Sequence, residues 1–149
     1  RTARFAQDRL FAPLGMRDTR LTASGGGSTN LAFGMQSTCA DLARFGLLFA
    51  QGGRWEDRQV VSSAWVAAAT GAPSQRLNAA YGYLWWLNTQ GKNYPGLPAS
   101  AYGARGAGSN TITVLPDEDL VVVWRWHAGN EAEFVKRVVA AIKPTSVMR

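Results

Sequence analysis

The chain has 149 residues, 46% of them hydrophobic and 17% charged, which is enough for one packed core and argues against disorder. Its net charge of +6 would by itself support a basic module that binds anionic polymers. The cations stand singly, however (Arg17, Arg20, Arg44, Arg54, Arg58, Arg76, Arg125), so no dedicated nucleic-acid site is expected, and no apolar stretch approaches the ~20 residues of a membrane span.

The first predicted helix runs from Arg1 to Phe11 with Ala3, Phe5, Ala6, Leu10 and Phe11 as its apolar residues; Pro13 and Gly15 close it, and a solvent-exposed turn follows. Residues 22–29 carry three consecutive glycines and read as a loop. A second helix starts at Ser37 or Thr38 as N-cap, with Asp41 beside the unpaired amides of its first turn. Its apolar face is Leu42, Phe45, Leu48 and Phe49, and Gly52-Gly53 ends it. Cys39, the single cysteine, excludes an internal disulfide and is expected to pack as a small hydrophobe.

A third helix is predicted from Ser62, packing through Trp65, Val66 and Ala69. Tyr81 to Leu87 reads as a strand from its aromatic content and Asn88 to Ser100 as a loop. Between Tyr102 and Trp126 the pattern predicts a hairpin whose turn is Pro116-Asp117-Glu118-Asp119. Gly103, Gly106 and Gly108 crowd the start of its first strand, and Leu120 to Trp126 is a strand covered on both faces. Glycine in a strand marks a bulge, tight packing, or a place where a ligand approaches. The last helix, Glu131 to Ile142, places acids early and bases late and should lie across the sheet. The fold class is therefore α/β (α+β), an antiparallel sheet with packed helices.

Three phrases precede the glycine strand: Leu10-Phe-Ala-Pro-Leu-Gly-Met-Arg-Asp-Thr19, Gly34-Met-Gln-Ser-Thr-Cys-Ala-Asp-Leu-Ala-Arg-Phe-Gly46 and Tyr81-Gly-Tyr-Leu-Trp-Trp86. In this order they resemble the C-terminal part of the serine β-lactamase-like family of class C β-lactamases, D-Ala-D-Ala carboxypeptidases, esterases and 6-aminohexanoate-dimer hydrolases. The family's nucleophile lies in Ser-x-x-Lys and a second motif in Tyr-x-Asn, both upstream of Pro-Leu-Gly-Met. Neither is present here; Ser28-Thr-Asn30 spells a variant of the second, but on the wrong side of that phrase. With Arg1 lying inside a predicted helix, residues 1–149 are expected to be the C-terminal portion of a single longer domain, inert alone and prone to self-association through the faces its missing part would cover.

The resemblance implies hydrolysis of a small-molecule ester, amide or β-lactam through an acyl-enzyme, with a non-catalytic penicillin-recognition scaffold as the alternative. It places the third family motif at Ala104-Arg105-Gly106, with the Ala107 N–H as one oxyanion donor and Gly106 leaving room for substrate. Where the family has Lys or His this chain has Ala104, which favours less anionic substrates. Arg105 is a candidate substrate contact, although strand alternation turns it away from Ala104. His127, the only histidine, reads as a surface or capping residue in preference to a base. The acidic trio Asp117, Glu118 and Asp119 reads as a solvated turn, and nothing calls for a cofactor or metal.

Overall fold

The computed structural model describes residues 1–23, 27–30 and 34–142. The elements are α1 (Thr2–Ala6), continued by a π-helical stretch (Gln7–Phe11), then β1 (Arg20–Leu21), β2 (Met35–Gln36) and α2 (Cys39–Ala50). They are followed by β3 (Arg54–Trp55), β4 (Arg58–Gln59), α3 (Ser63–Thr70), β5 (Trp86–Leu87), β6 (Tyr102–Gly106), β7 (Asn110–Leu115), β8 (Leu120–Trp124) and α4 (Glu131–Ile142). The main sheet is antiparallel in the order β5-β6-β7-β8.

The predicted single glycine strand is two strands. Ala107-Gly108-Ser109 turns the chain back, so that Gly106 pairs with Asn110 and Tyr102 with Val114. Gly108 and Ser109 both adopt positive φ (75° and 54°), the left-handed geometry that a three-residue hairpin loop needs. Pro116-Asp-Glu then makes the second turn as a 3₁₀ segment, with the Ser100 hydroxyl 2.5 Å from Asp117 Oδ2.

Two helices cover the sheet from opposite sides. α2 lays Leu42, Phe49 and the half-buried Phe45 on Tyr102, Ile112 and Val114, with Trp85 at the centre of the cluster. The Trp85 ring lies 4.7 Å from Phe49 and 5.2 Å edge-on from Tyr102, separations at which aromatic pairs attract beyond their buried area. Gly46 is where α2 comes closest, since a Cβ there would run into Val121 and Ile112. α4 lays Val135, Val138 and Val139 on Tyr94, Ala101, Leu115 and Val122. The run 120–124 is therefore covered on both faces, as its continuous apolar character implies. Lys136 and Arg137 sit in mid-helix, paired with Glu133 at 2.8 and 3.2 Å, and not in the last turn as expected. Those partners hold the Glu133 carboxyl below its ordinary range.

Several other expectations are corrected. The turn after Gly15 is exposed at Arg17 and Asp18, as expected, but the residues that close the helix are not: Leu14 and Met16 are buried with Phe11 and Leu48. The π-helical widening, with Ala12 N–H donating to Gln7 and Met16 N–H to Phe11, carries the chain inward there. Phe5 and Trp65 point to solvent, because the first helix makes its core contacts through Ala6, Leu10 and Phe11 and α3 through Val66 and Ala69. Cys39 is exposed. Of the predicted strand Tyr81–Leu87 only Trp86–Leu87 is extended; Tyr81 bridges back to Trp86, and Leu84 between them has φ 65° with its side chain exposed. Part of the 22–29 loop, residues 24–26, lies outside the described residues; beside it Ala23 pairs with Thr29 and β1 with β2.

Asp41 does more than cap a helix. Thr38 is the N-cap, its hydroxyl accepting from the Asp41 N–H at 3.2 Å. The Asp41 carboxylate, 1% exposed, accepts from Asp18 N–H at 2.9 Å, Thr19 Oγ1 at 2.8 Å and Arg44 Nη1 at 2.8 Å. It ties the Pro-Leu-Gly-Met segment to α2. Asp41→Ala leaves these donors unpaired, and urea unfolding is expected to show a loss of about 2–4 kcal/mol.

Tyr94 and Tyr102 have phenols raised above their ordinary value, chiefly by burial; for Tyr94 the charge of Glu131 adds to this and Arg105 opposes it. A raised phenol pKa stabilises the fold fully below pH 10.0, and this contribution is lost as the pH rises further. These two tyrosines are expected to ionise only as the chain unfolds. Absorbance at 295 nm followed together with near-ultraviolet dichroism through an alkaline titration checks it.

Candidate functional site

The three glycines around β6 differ in what surrounds them. A Cβ on Gly103 would collide with the Tyr94 hydroxyl and the Ile112 carbonyl, and one on Gly108 with the Trp126 ring. Packing inside the chain explains both. At Gly106 a Cβ would meet nothing nearer than Asn110 at 3.8 Å, and φ is not positive, so nothing in the described chain requires a glycine there. Of the three glycines, Gly106 is the one left facing empty space.

The same end of β6 has an open edge. β5 pairs only with Gly103 and Tyr102, so beyond Gly103 the strand has β7 on one side and no strand on the other among the described residues. Ala107 is exposed, lies past the last ladder pair, and its N–H donates to no described residue. Its carbonyl is fixed, accepting from Asn110 Nδ2 at 2.6 Å. Asn110 Oδ1 in turn accepts from Arg125 Nε at 3.0 Å, and Arg125 Nη1 donates to the Ser37 carbonyl at 2.7 Å. A chain of three bonds thus runs from the start of α2 to the β6–β7 turn.

Ala104 and Arg105 lie on opposite faces, as alternation requires. Ala104 packs on the α2 side. Arg105 turns toward α4, where its Nε donates to Glu131 Oε2 at 2.8 Å and its Nη atoms to Asn93 Oδ1 and O at 3.3 and 3.0 Å. Its guanidinium also stands 4.8 Å from the Tyr94 ring centre. Glu131, 9% exposed, takes its other bond from Thr113 Oγ1 at 2.6 Å. Arg105 is thus held by Glu131 and Asn93, with a third of its side chain still exposed.

His127 is half-buried and not a free surface residue. Its ring stacks on Trp124 at 3.9 Å and 10°, and both ring nitrogens are buried without a partner. With Arg105, Gly106, Ser109, Thr111 and Glu131 it lines a hollow of about 320 Å³. The acidic trio at 117–119 gathers no further ligands, and no group of three metal-binding side chains occurs among the described residues. No helix among them is long and apolar enough to cross a membrane.

The sequence model of the beta-lactamase family matches residues 1–143. This chain belongs to the beta-lactamase family. Solved structures agree in fold. A protein described as a 6-aminohexanoate-dimer hydrolase from Bacillus anthracis superposes with a TM-score of 0.67 at 18% identity, over 91% of this chain and 36% of its own. A beta-lactamase from Mycobacterium bovis gives 0.66 at 21%, over 92% and 56%, and one from Bacteroides dorei 0.63 at 17%, over 93% and 51%. The chain thus spans between about a third and a little over half of these relatives. No curated protein sequence matches it.

Asn93, Asn110, Arg125 and Glu131 were not singled out from the sequence of this family member. Arg125 offered a signal, a cation between two tryptophans at the end of an apolar run, where a charge persists only if its hydrogen bonds are met. The glycine analysis is directly testable. Gly103→Ala is expected to lower stability by about 3 kcal/mol or more through overpacking, and Gly106→Ala to change it by less than about 1 kcal/mol. Thermal denaturation of the two variants side by side measures the contrast.

Proposed function

We propose that this chain is the substrate-facing sheet portion of a serine hydrolase that cleaves ester or amide carbonyls through an acyl-enzyme, and that Gly106–Ala107 forms half of its oxyanion hole. The observation that carries this is the free N–H of exposed Ala107, next to a glycine whose empty flank nothing in the described chain explains. The nucleophile belongs to a Ser-x-x-Lys segment outside this sequence. Its hydroxyl gives up a proton to the neighbouring base as it attacks the carbonyl, and the tetrahedral oxyanion accepts from the Ala107 N–H and from the nucleophile's own N–H. Collapse expels the alcohol or amine, which takes the proton, and water then hydrolyses the acyl-enzyme.

The Asn110–Arg125–Ser37 chain supports the reading, because an oxyanion donor is useful only if it is held in place before the reaction. Ala104 and an Arg105 already paired with Glu131 leave no free cation on β6 for a substrate carboxylate, so neutral esters and amides are favoured over β-lactams. The absence of a lysine or histidine at Ala104 also favours a second reading, a non-catalytic scaffold that binds acyl compounds without turning them over.

In the native full-length protein, Ala107→Pro removes the donor and is expected to lower kcat on a neutral activated ester about 10²–10³-fold, with a smaller change in KM. The 149-residue chain alone is expected to leave the same ester intact. Steady-state kinetics with mass detection of a serine-linked acyl group checks both. A full-length protein that binds such compounds and never releases product fits the scaffold.

A further inference from the structure

Trp126 has no part in the chemistry described above, yet its placement is costly. It follows β8 with φ 54°, a conformation in which a bulky side chain is a true outlier, and its side chain is 72% exposed. Strain of this kind persists only where the neighbours fix it, and it collects at functional sites. Both neighbours are fixed: Arg125 is bonded to Asn110 and to the Ser37 carbonyl, and His127 is stacked on Trp124. Between them the indole is pressed against Gly108, whose missing side chain makes the space its six-membered ring occupies. Among the described residues no other aromatic ring pairs with it.

Gly108 is two residues from Gly106 and next to Ala107, so their Cα atoms lie within about 7 Å. One side of the indole rests on the turn that carries the free N–H, and most of the ring remains open. The nearby surface offers Ala104 and Gly106, with Arg105 engaged by Glu131 and Asn93. The apolar border of the corner is the indole with these small residues, and its polar neighbours Asn110 and Arg125 are already bonded to each other and to the Ala107 and Ser37 carbonyls.

We propose that Trp126 is a specificity-determining residue, an aromatic shelf beside Gly106–Ala107 that selects substrates with a planar apolar group adjoining the reacting carbonyl. This rests on the reading of that corner as a substrate site. The test uses the native full-length protein and two activated esters, an acetate and a phenylacetate. Trp126→Ala is expected to lower the phenylacetate-to-acetate ratio of kcat/KM about tenfold, mainly through KM of the phenylacetate ester, and Trp126→Phe to keep most of that preference. Equal losses on both esters, or an unchanged ratio, overturn the proposal.

A second measurement needs no turnover. In protein labelled with 5-fluorotryptophan, the Trp126 resonance is the one missing from Trp126→Phe. It should show a solvent isotope shift when free and move saturably with phenylacetate but not with acetate. A resonance without that isotope shift means that another part of the protein covers the ring, and a resonance indifferent to phenylacetate means that nothing binds there; either overturns the shelf. If neither ester is hydrolysed and the resonance still responds, the hydrolase reading fails while the shelf stands.

Discussion

Everything near the candidate site depends on how closely Tyr94 approaches β6. Its hydroxyl occupies the space that any side chain on Gly103 would need, and its ring forms the floor on which the Arg105 guanidinium lies. With Glu131 bonded to both Arg105 and Thr113, the loop before β6, two strands and the first turn of α4 meet at one point, where Tyr94, Thr113 and Glu131 are buried and Arg105 remains in part exposed. Removing Arg105 or Thr113 leaves the buried Glu131 carboxylate short of a donor, so the members of the arrangement depend on one another. β6 is thereby fixed from its α4 side, and its α2 side and free edge need provide no support near Gly106.

A second support arrives from the other side of the sheet. Arg125 spans from the α2 N-terminus to Asn110, so the turn bearing Ala107 is braced by a helix distant in sequence. Asp41 performs a similar service for that helix start by gathering Asp18 and Thr19. Polar residues in this fold mostly serve as tie points between segments of irregular backbone, where short strands supply few ladder hydrogen bonds.

The helices were legible because their caps and periodicity are local: Thr38 and Ser62 are the observed N-caps, and the α4 bounds agree with the sequence reading. The four-stranded sheet was half legible. Ala107-Gly108-Ser109 contains no Asn-Gly or Asp-Gly pair, so the turn that splits the glycine run carried no strong signal. At Leu84 a non-glycine residue accepts a left-handed conformation, contrary to local preference, because Trp85 and Trp86, which follow it, are held by the core and by β6. The site divides in the same way. At the sequence level Gly106–Ala107 is proposed from the resemblance alone, whereas Asn93, Asn110 and Glu131 act through contacts between residues far apart in sequence. Gly103 and Gly106 look alike on paper, and only their three-dimensional surroundings tell a packing glycine from an open one.

The sheet ends differently on its two sides. At β5 the ladder stops after two pairs, but β8 presents Leu120 to Trp124 with no neighbouring strand among the described residues. That border contains no proline and no lysine, the residues with which proteins commonly blunt an edge. It is a border with three β-branched valines at its centre, and its outer amides and carbonyls meet no strand among the described residues. A strand laid along that border would extend the ladder to a fifth strand without displacing any element already in place.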